Sequence, residues 1–87
     1  MMKRHLIYGV HITGRVVHVP DVQHLFTVYG CNIKTRLGLH EASDHECSPN
    51  GLILLEVVGD DGKCREMAEK LRAIQGVEVK EMMFDHP

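Results

Sequence analysis

The chain has 87 residues, of which 44% are hydrophobic and 25% are charged, and its formal net charge is −2. This length suits a single domain spanning residues 1–87, and the hydrophobic share excludes a disordered chain. The slightly acidic balance predicts no direct binding to nucleic acid, and no apolar run reaches the roughly 18 residues that a membrane span needs. Three cysteines without framework spacing predict a reducing, cytoplasmic setting.

The first half of the chain predicts a strand, a helix and a second strand. Apolar residues alternate over residues 6–12, as in a strand. Pro20 suits the first turn of a helix that continues to Tyr29, and Gly30 is its expected cap. A second alternation over residues 33–39 is typical of a half-buried strand.

After a long connection, the second half of the chain also predicts a strand, a helix and a strand. The polar segment 40–50 is predicted to be a loop of about 11 residues. The nearly apolar segment 52–58 predicts a central strand, and residues 59–62 predict a turn that also caps the next helix. Apolar residues have helical spacing over residues 63–74 and alternate more weakly over residues 77–84. A helix and a last strand therefore complete the order of elements.

This order predicts an α+β, ferredoxin-like βαββαβ sandwich: a four-stranded antiparallel sheet with two helices on one face. The strands over residues 6–12 and 52–58 are expected in the centre of the sheet. Two helices cover only one face, so one apolar side of strand 52–58 stays uncovered. An exposed apolar face usually marks an interface, which predicts a homodimer or homotetramer formed through the sheet.

Short motifs along most of the chain resemble a known family. Residues 19–21 and 29–33 resemble the first half of an ACT domain, with its helix after strand one. Residues 36–39, 51–58 and 74–80 are similar to stand-alone ACT-like regulators of the iron-only hydrogenase system. The resemblance implies a ferredoxin-like fold, oligomers, and a sensing or transcriptional regulatory role without enzymatic activity.

Two places are predicted to bind a small ligand. Gly14 and Arg15 precede the first helix, and backbone N–H groups at a helix start attract an anion. His11 is expected on the uncovered face, and Lys34 and Arg36 share the second face of their strand. These side chains predict a shallow patch for an anion or a neighbouring subunit. The alternatives are a plain strand-to-helix turn and ordinary strand residues at a dimer interface.

The polar segment 40–50 holds the densest set of metal-ligand types. His40, His45 and Cys47 supply imidazole and thiolate groups, and His86 joins them only if the C-terminus lies near. The sequence leaves the cofactor open, and the candidates for this set are transition metals: nickel, zinc, cobalt or iron. Because the spacing matches no strong metal motif, a solvated polar loop is the alternative.

One enzyme class is also compatible with the pattern. Acylphosphatases use the same fold, with an anion-binding arginine before the first helix and an asparagine in the second strand. Arg15 and Asn32 lie in roughly these regions, but the glycine-rich loop sequence of that family is absent. The leading hypothesis is therefore a regulatory or sensory module, not an enzyme, that oligomerises and binds a small ligand at a subunit interface.

Overall fold

The structure, a computed structural model, describes residues 3–13, 15–42 and 47–86, and within them the side chains of residues 4–13, 20–38 and 51–85. The described elements form one sheet and two α-helices. In chain order they are β1 (Lys3–Ile12), α1 (Arg15–Val28), a 3-10 helix (Gly30–Asn32), β2 (Ile33–Ala42), β3 (Cys47–Val57), α2 (Asp61–Arg72) and β4 (Val77–His86). None of the helices in this part of the chain is long and apolar enough to cross a membrane.

The sheet has the strand order β2-β3-β1-β4, and each neighbouring pair is antiparallel. The predicted architecture is therefore confirmed, with β1 and β3 in the centre. Both helices pack on the same face. Tyr8 and Leu55 from the central strands, Phe26 from α1, and Met67 and Leu71 from α2 meet there as buried side chains. Burial of each such side chain contributes about 1.5–3 kcal/mol to the free energy of unfolding.

The start of α2 agrees with the predicted capping turn. The Asp60 carboxylate accepts a hydrogen bond from the backbone N–H of Lys63 at 3.2 Å, which satisfies a donor that a helix start leaves without a partner. One turn into the helix, the Cys64 thiol is buried and donates to the Val58 carbonyl oxygen at 3.4 Å. Cys64 is therefore a core residue, and its burial raises the pKa of the thiol.

Two predicted boundaries are wrong. Helix α1 begins at Arg15, and Pro20 lies inside it rather than in its first turn. Proline removes one N–H, so the helix loses a single backbone bond near its start while its later turns pack on the sheet. The segment 40–50 is mostly strand, because β2 continues to Ala42 and β3 begins at Cys47, directly opposite. Backbone pairing in a hairpin does not require apolar side chains.

A β-bulge near the start of β2 decides which side chains face the helices. Ile33 pairs with Val57, but Thr35 pairs with Glu56, so Lys34 is the extra residue on this strand. Ile33 packs against the core, whereas Leu37 is 52% exposed. An inserted residue moves every later side chain to the other face. The faces predicted for residues 35–39 are therefore reversed.

Candidate functional site

The sheet face without helices carries a continuous apolar surface. We call it the open face. Its apolar members come from all four strands, with paired positions side by side: Ile7, Leu37, Leu52, Leu54, Met82 and Phe84. Phe84 is 52% exposed and Met82 is 49% exposed. The predicted uncovered apolar side of the sheet is present in the structure.

Gly9 lies at the centre of the open face, between Leu54 on β3 and Lys80 on β4. A Cβ atom added at Gly9 would meet the Leu54 side chain at 3.8 Å and the Lys80 carbonyl oxygen at 3.9 Å, which are ordinary contacts. Nothing in this subunit therefore requires glycine there. Glycine inside a central strand often marks a place that another backbone or a ligand approaches closely.

Charged and polar groups surround the apolar centre of the open face. The imidazole Nδ1 of His5 lies 2.8 Å from Glu56 Oε2. This hydrogen bond lowers the pKa of the Glu56 carboxyl below its ordinary value, and the nearby Lys34 charge lowers it further. His11 also lies on the open face, paired with Leu52 and Glu78. The rim therefore presents acids and bases around an apolar centre.

The predicted patch of His11 and Arg36 does not form. The Arg36 guanidinium lies 4.9 Å from the centre of the Phe26 ring and donates to Gln23 Oε1 at 2.8 Å, so Arg36 is on the helix face. The bulge at Lys34 is the reason, because it exchanges the two faces of β2. The shared patch of Lys34 and Arg36 with His11 is thus a wrong prediction.

The predicted anion site at the first helix and part of the metal set lie outside the described part of the chain. Gly14 and His45 are outside the described residues. Arg15, His40, Cys47 and His86 have described backbones but no described side chains. Their roles as ligands stay predictions. Among the described side chains, no three His, Cys, Asp or Glu groups are arranged to hold a metal ion.

The backbone does separate His86 from His40. His86 pairs with Lys3 at the start of β1, on one edge strand of the sheet. His40 pairs with Gly51, which pairs with Ile12 at the far end of β1. From Lys3 to Ile12 a strand rises by about 30 Å. His86 therefore cannot join a metal site at His40 within one subunit, whereas Cys47 lies on the same hairpin as His40.

Asn32, the asparagine of the acylphosphatase alternative, has a structural partner. Its side-chain amide donates to the Val58 carbonyl oxygen at 3.0 Å. This hydrogen bond ties the start of β2 to the end of β3. The amide donor is therefore engaged with backbone.

A cleft of about 130 Å³ opens on the helix face, between the start of α2 and strands β1 and β4. None of the residues that line it was predicted as a site residue: Arg4, Leu6, Tyr8, Asp61, Arg65, Glu81 and Met83. The available signal was the alternation of Arg4, Leu6 and Tyr8 along β1, together with the i, i+4 spacing of Asp61 and Arg65. The register between β1 and β4, together with the position of α2 on the sheet, brings these groups into one cleft.

Four charged side chains line the cleft. Two of them form an ion pair, and the other two have no ion-pair partner among the described residues. Arg4 is hydrogen-bonded to Asp61 across the mouth of the cleft. Arg65 and Glu81 form no ion pair or hydrogen bond with any described residue. Burial raises the pKa of Tyr8 above its ordinary value of 10.0; the Glu81 charge raises it further and the Arg65 charge lowers it. Both charges therefore act on the Tyr8 hydroxyl.

No protein-family model matches the chain, and no curated protein matches it by sequence. Solved structures are similar to it. An uncharacterised protein from Thermotoga maritima has a TM-score of 0.76 and 21% identity, over 97% of this chain and 99% of that chain.

Two further structures have the same fold at lower similarity. CPII from Thiomonas intermedia K12, a nitrogen regulatory PII-like protein bound to ADP, AMP and bicarbonate, has a TM-score of 0.64 and 12% identity, over 100% of this chain and 99% of that chain. The ACT domain of GTP pyrophosphokinase from Chlorobium tepidum has a TM-score of 0.58 and 20% identity, over 94% and 100% of the two chains. These likenesses show that the chain has the ferredoxin-like fold of ACT and PII-like proteins.

Proposed function

We propose that this chain is a regulatory module without catalytic activity, which assembles with copies of itself through the open face and responds to a small ligand. The observation that carries the proposal is the exposure of Met82, Phe84 and Leu37 on a face that no helix covers. Contiguous apolar surface of this kind usually marks an interaction site. A domain of this length also has a marginal core, which a second subunit would strengthen.

A second copy of the chain fits the open face better than an unrelated partner. The rim presents both signs of charge, with Glu56 and Glu78 against Lys80 and Lys34. A two-fold axis through the face brings the same surface of both subunits together, so such a rim can pair with itself. The missing side chain at Gly9 lets the two sheets approach at the centre. We therefore propose a homodimer, which can pair again into a homotetramer.

The response to a ligand is supported by two solved structures of the same fold. CPII binds ADP, AMP and bicarbonate, and the ACT domain belongs to a GTP pyrophosphokinase. We propose that this chain likewise binds a small molecule at a subunit interface, where His11 on the open face and the helix start at Arg15 are candidates. Binding would favour one assembly geometry over another, and the shift in population would be the signal.

Sedimentation velocity at micromolar concentration tests the assembly. Met82→Glu places a charge on the open face, and Met83→Glu places the same charge on the helix face at nearly equal exposure, 49% against 51%. We expect an oligomer for the wild type and Met83→Glu, and for Met82→Glu an increase of at least tenfold in the dissociation constant. A folded wild-type monomer, or equal effects of the two substitutions, would contradict the proposal.

A second candidate function is transition-metal binding by His40, His45 and Cys47. The hairpin register supports it, because Ala42 pairs with Cys47 and so keeps both ends of the set at one tip. Metal analysis of protein purified without a histidine tag tests it. We expect His40→Ala and Cys47→Ser to lose bound metal and His24→Ala, on the exposed side of α1, to keep it. A link to the iron-only hydrogenase system stays a prediction.

A further inference from the structure

The cleft on the helix face holds a buried hydroxyl group without a partner. Tyr8 is only 2% exposed, and no described residue forms a hydrogen bond with its hydroxyl. Every fully enclosed polar side-chain atom among the described residues has a partner. The Tyr8 hydroxyl must therefore reach the cleft that Tyr8 lines. A buried hydroxyl that opens only into a cleft is available to a molecule bound there.

Two opposite charges flank this hydroxyl without pairing. Glu81 stands directly opposite Tyr8 in the register of β1 and β4, and Arg65 lines the cleft from α2. Both perturb the Tyr8 hydroxyl electrostatically, yet neither bonds to the other or to another described residue. The Arg4 and Asp61 charges cancel each other at the mouth. Both charged side chains are exposed, so water solvates them in the free protein, and a ligand that spans Arg65 and Glu81 would bond to all three groups.

The chemistry of the lining defines the ligand. An arginine guanidinium matches a carboxylate with two parallel hydrogen bonds, and Glu81 accepts from a donor group. Leu6 and Met83 offer apolar contact to a short carbon skeleton. The volume of about 130 Å³ is close to the roughly 150 Å³ that accommodates benzene in an engineered protein cavity. A compact molecule is enough to fill it.

We propose that this cleft binds a compact carboxylate that also carries a hydrogen-bond donor, and a 2-hydroxy acid is the simplest such molecule. The carboxylate lies on Arg65, the donor faces Glu81, and the Tyr8 hydroxyl bonds to the ligand between them. The site is formed by one subunit and lies on the face opposite to the proposed assembly surface. It therefore goes beyond the proposed function and does not depend on it.

Titration of the backbone amide NMR signals with lactate, at matched ionic strength, tests the site. We expect saturable shifts around Tyr8, Arg65 and Glu81, and weaker binding of propionate, which lacks the hydroxyl. Arg65→Gln should weaken the binding of both compounds by about tenfold, because it removes a charged partner. Glu81→Ala, which removes the acceptor, should weaken lactate relative to propionate, and Tyr8→Phe should weaken lactate without reducing thermal stability.

The controls separate this site from a general charge effect and from assembly. Lys63→Gln removes the same charge from the same helix outside the cleft, and it should leave lactate binding unchanged. Met82→Glu, which is designed to disrupt assembly, should also keep the wild-type lactate affinity. Non-saturating shifts, or equal losses in Arg65→Gln and Lys63→Gln, would overturn the proposal. Loss of binding in Met82→Glu would overturn the assignment of the site to a single subunit.

Discussion

Asn32 and Val58 are joined by two hydrogen bonds in opposite directions. The Asn32 side-chain amide donates to the Val58 carbonyl oxygen at 3.0 Å, and the Val58 N–H donates to the Asn32 carbonyl oxygen at 2.8 Å. This pair fixes the chain where β3 turns toward α2. Gly59 follows directly with a φ of 92°, which side chains rarely tolerate.

Gly59→Ala should therefore destabilise the fold. The new Cβ atom would lie 2.9 Å from Asn32 Nδ2, in a backbone conformation that is strained for alanine. We expect a loss of about 1–3 kcal/mol in the free energy of unfolding, measured by urea denaturation. Gly38→Ala is the matched control, since its Cβ would meet nothing within 4 Å. Equal stabilities of the two variants would refute the argument.

Tyr29→Phe should raise the pKa of Glu66. The Tyr29 hydroxyl donates to the Glu66 carboxylate and is the largest cause of its lowered pKa, followed by Lys63 at 3.8 Å. We expect a larger rise in the pKa for Tyr29→Phe than for Lys63→Gln in an NMR titration of the carboxyl carbon. The reverse order would be incompatible with the hydrogen bond as the main cause.

The same carboxyl contributes to the acid sensitivity of the fold. The folded pKa of Glu66 lies below its ordinary value of 4.5, so its stabilising effect is fully present above pH 4.5. The effect is lost as the pH falls through the folded pKa. In urea denaturation, we expect the stability difference between wild type and Tyr29→Phe to shrink over this acidic range. A stability difference that grows as the pH falls would contradict the lowered pKa of Glu66.

Arg36→Ala should cost stability although Arg36 is exposed. Its guanidinium stacks on Phe26 and donates to Gln23, contacts that together contribute about 1 kcal/mol. Lys34→Ala, at the bulged position, should change the free energy of unfolding by less than about 0.5 kcal/mol. Arg36→Lys should fall between wild type and Arg36→Ala, because lysine lacks the planar group. Equal urea midpoints for all three variants would show that Arg36 makes no such contact.

Tyr8 should ionise only in strongly alkaline solution. Tyr29→Phe leaves Tyr8 as the only tyrosine, so tyrosinate absorbance reports it alone. The folded pKa of Tyr8 is raised above 10.0, mainly by burial. The contribution of Tyr8 to the free energy of unfolding is therefore fully present below pH 10.0, and it is lost as the pH rises through the folded pKa. Titration of the urea-denatured chain gives the ordinary value, and an equal value for the folded protein would contradict the burial of Tyr8.

The sequence was sufficient to predict the order of elements and the central strands, because the periods of hydrophobicity in β1, β3 and α2 are regular. It was not sufficient for β2. The alternation over residues 33–39 identified the strand, but nothing in the residue type of Lys34 indicates that it is the bulged position. One extra residue exchanges the two faces of a strand. The strand itself was therefore predicted correctly, but a regular alternation puts Arg36 and Leu37 on the wrong faces.

The two surfaces differ in how far sequence reasoning could find them. The open face follows from the count of helices and strands, which the sequence predicts. The cleft depends on Tyr8 standing opposite Glu81 and on Arg65 lining the same cleft from α2, which brings together distant parts of the chain. No local pattern encodes such a register.

The bulge at Lys34 also bears on how the protein avoids aggregation. Strands β2 and β4 are the sheet edges, and their outer backbone groups can template another chain. Irregular pairing between Ile33 and Thr35 and between His40 and Ala42 distorts the β2 edge near both ends. Strand β4 pairs without interruption from Val77 to His86, so its outer edge is the more regular. Fibril growth under destabilising conditions would therefore start at β4, and a proline substitution there would slow it.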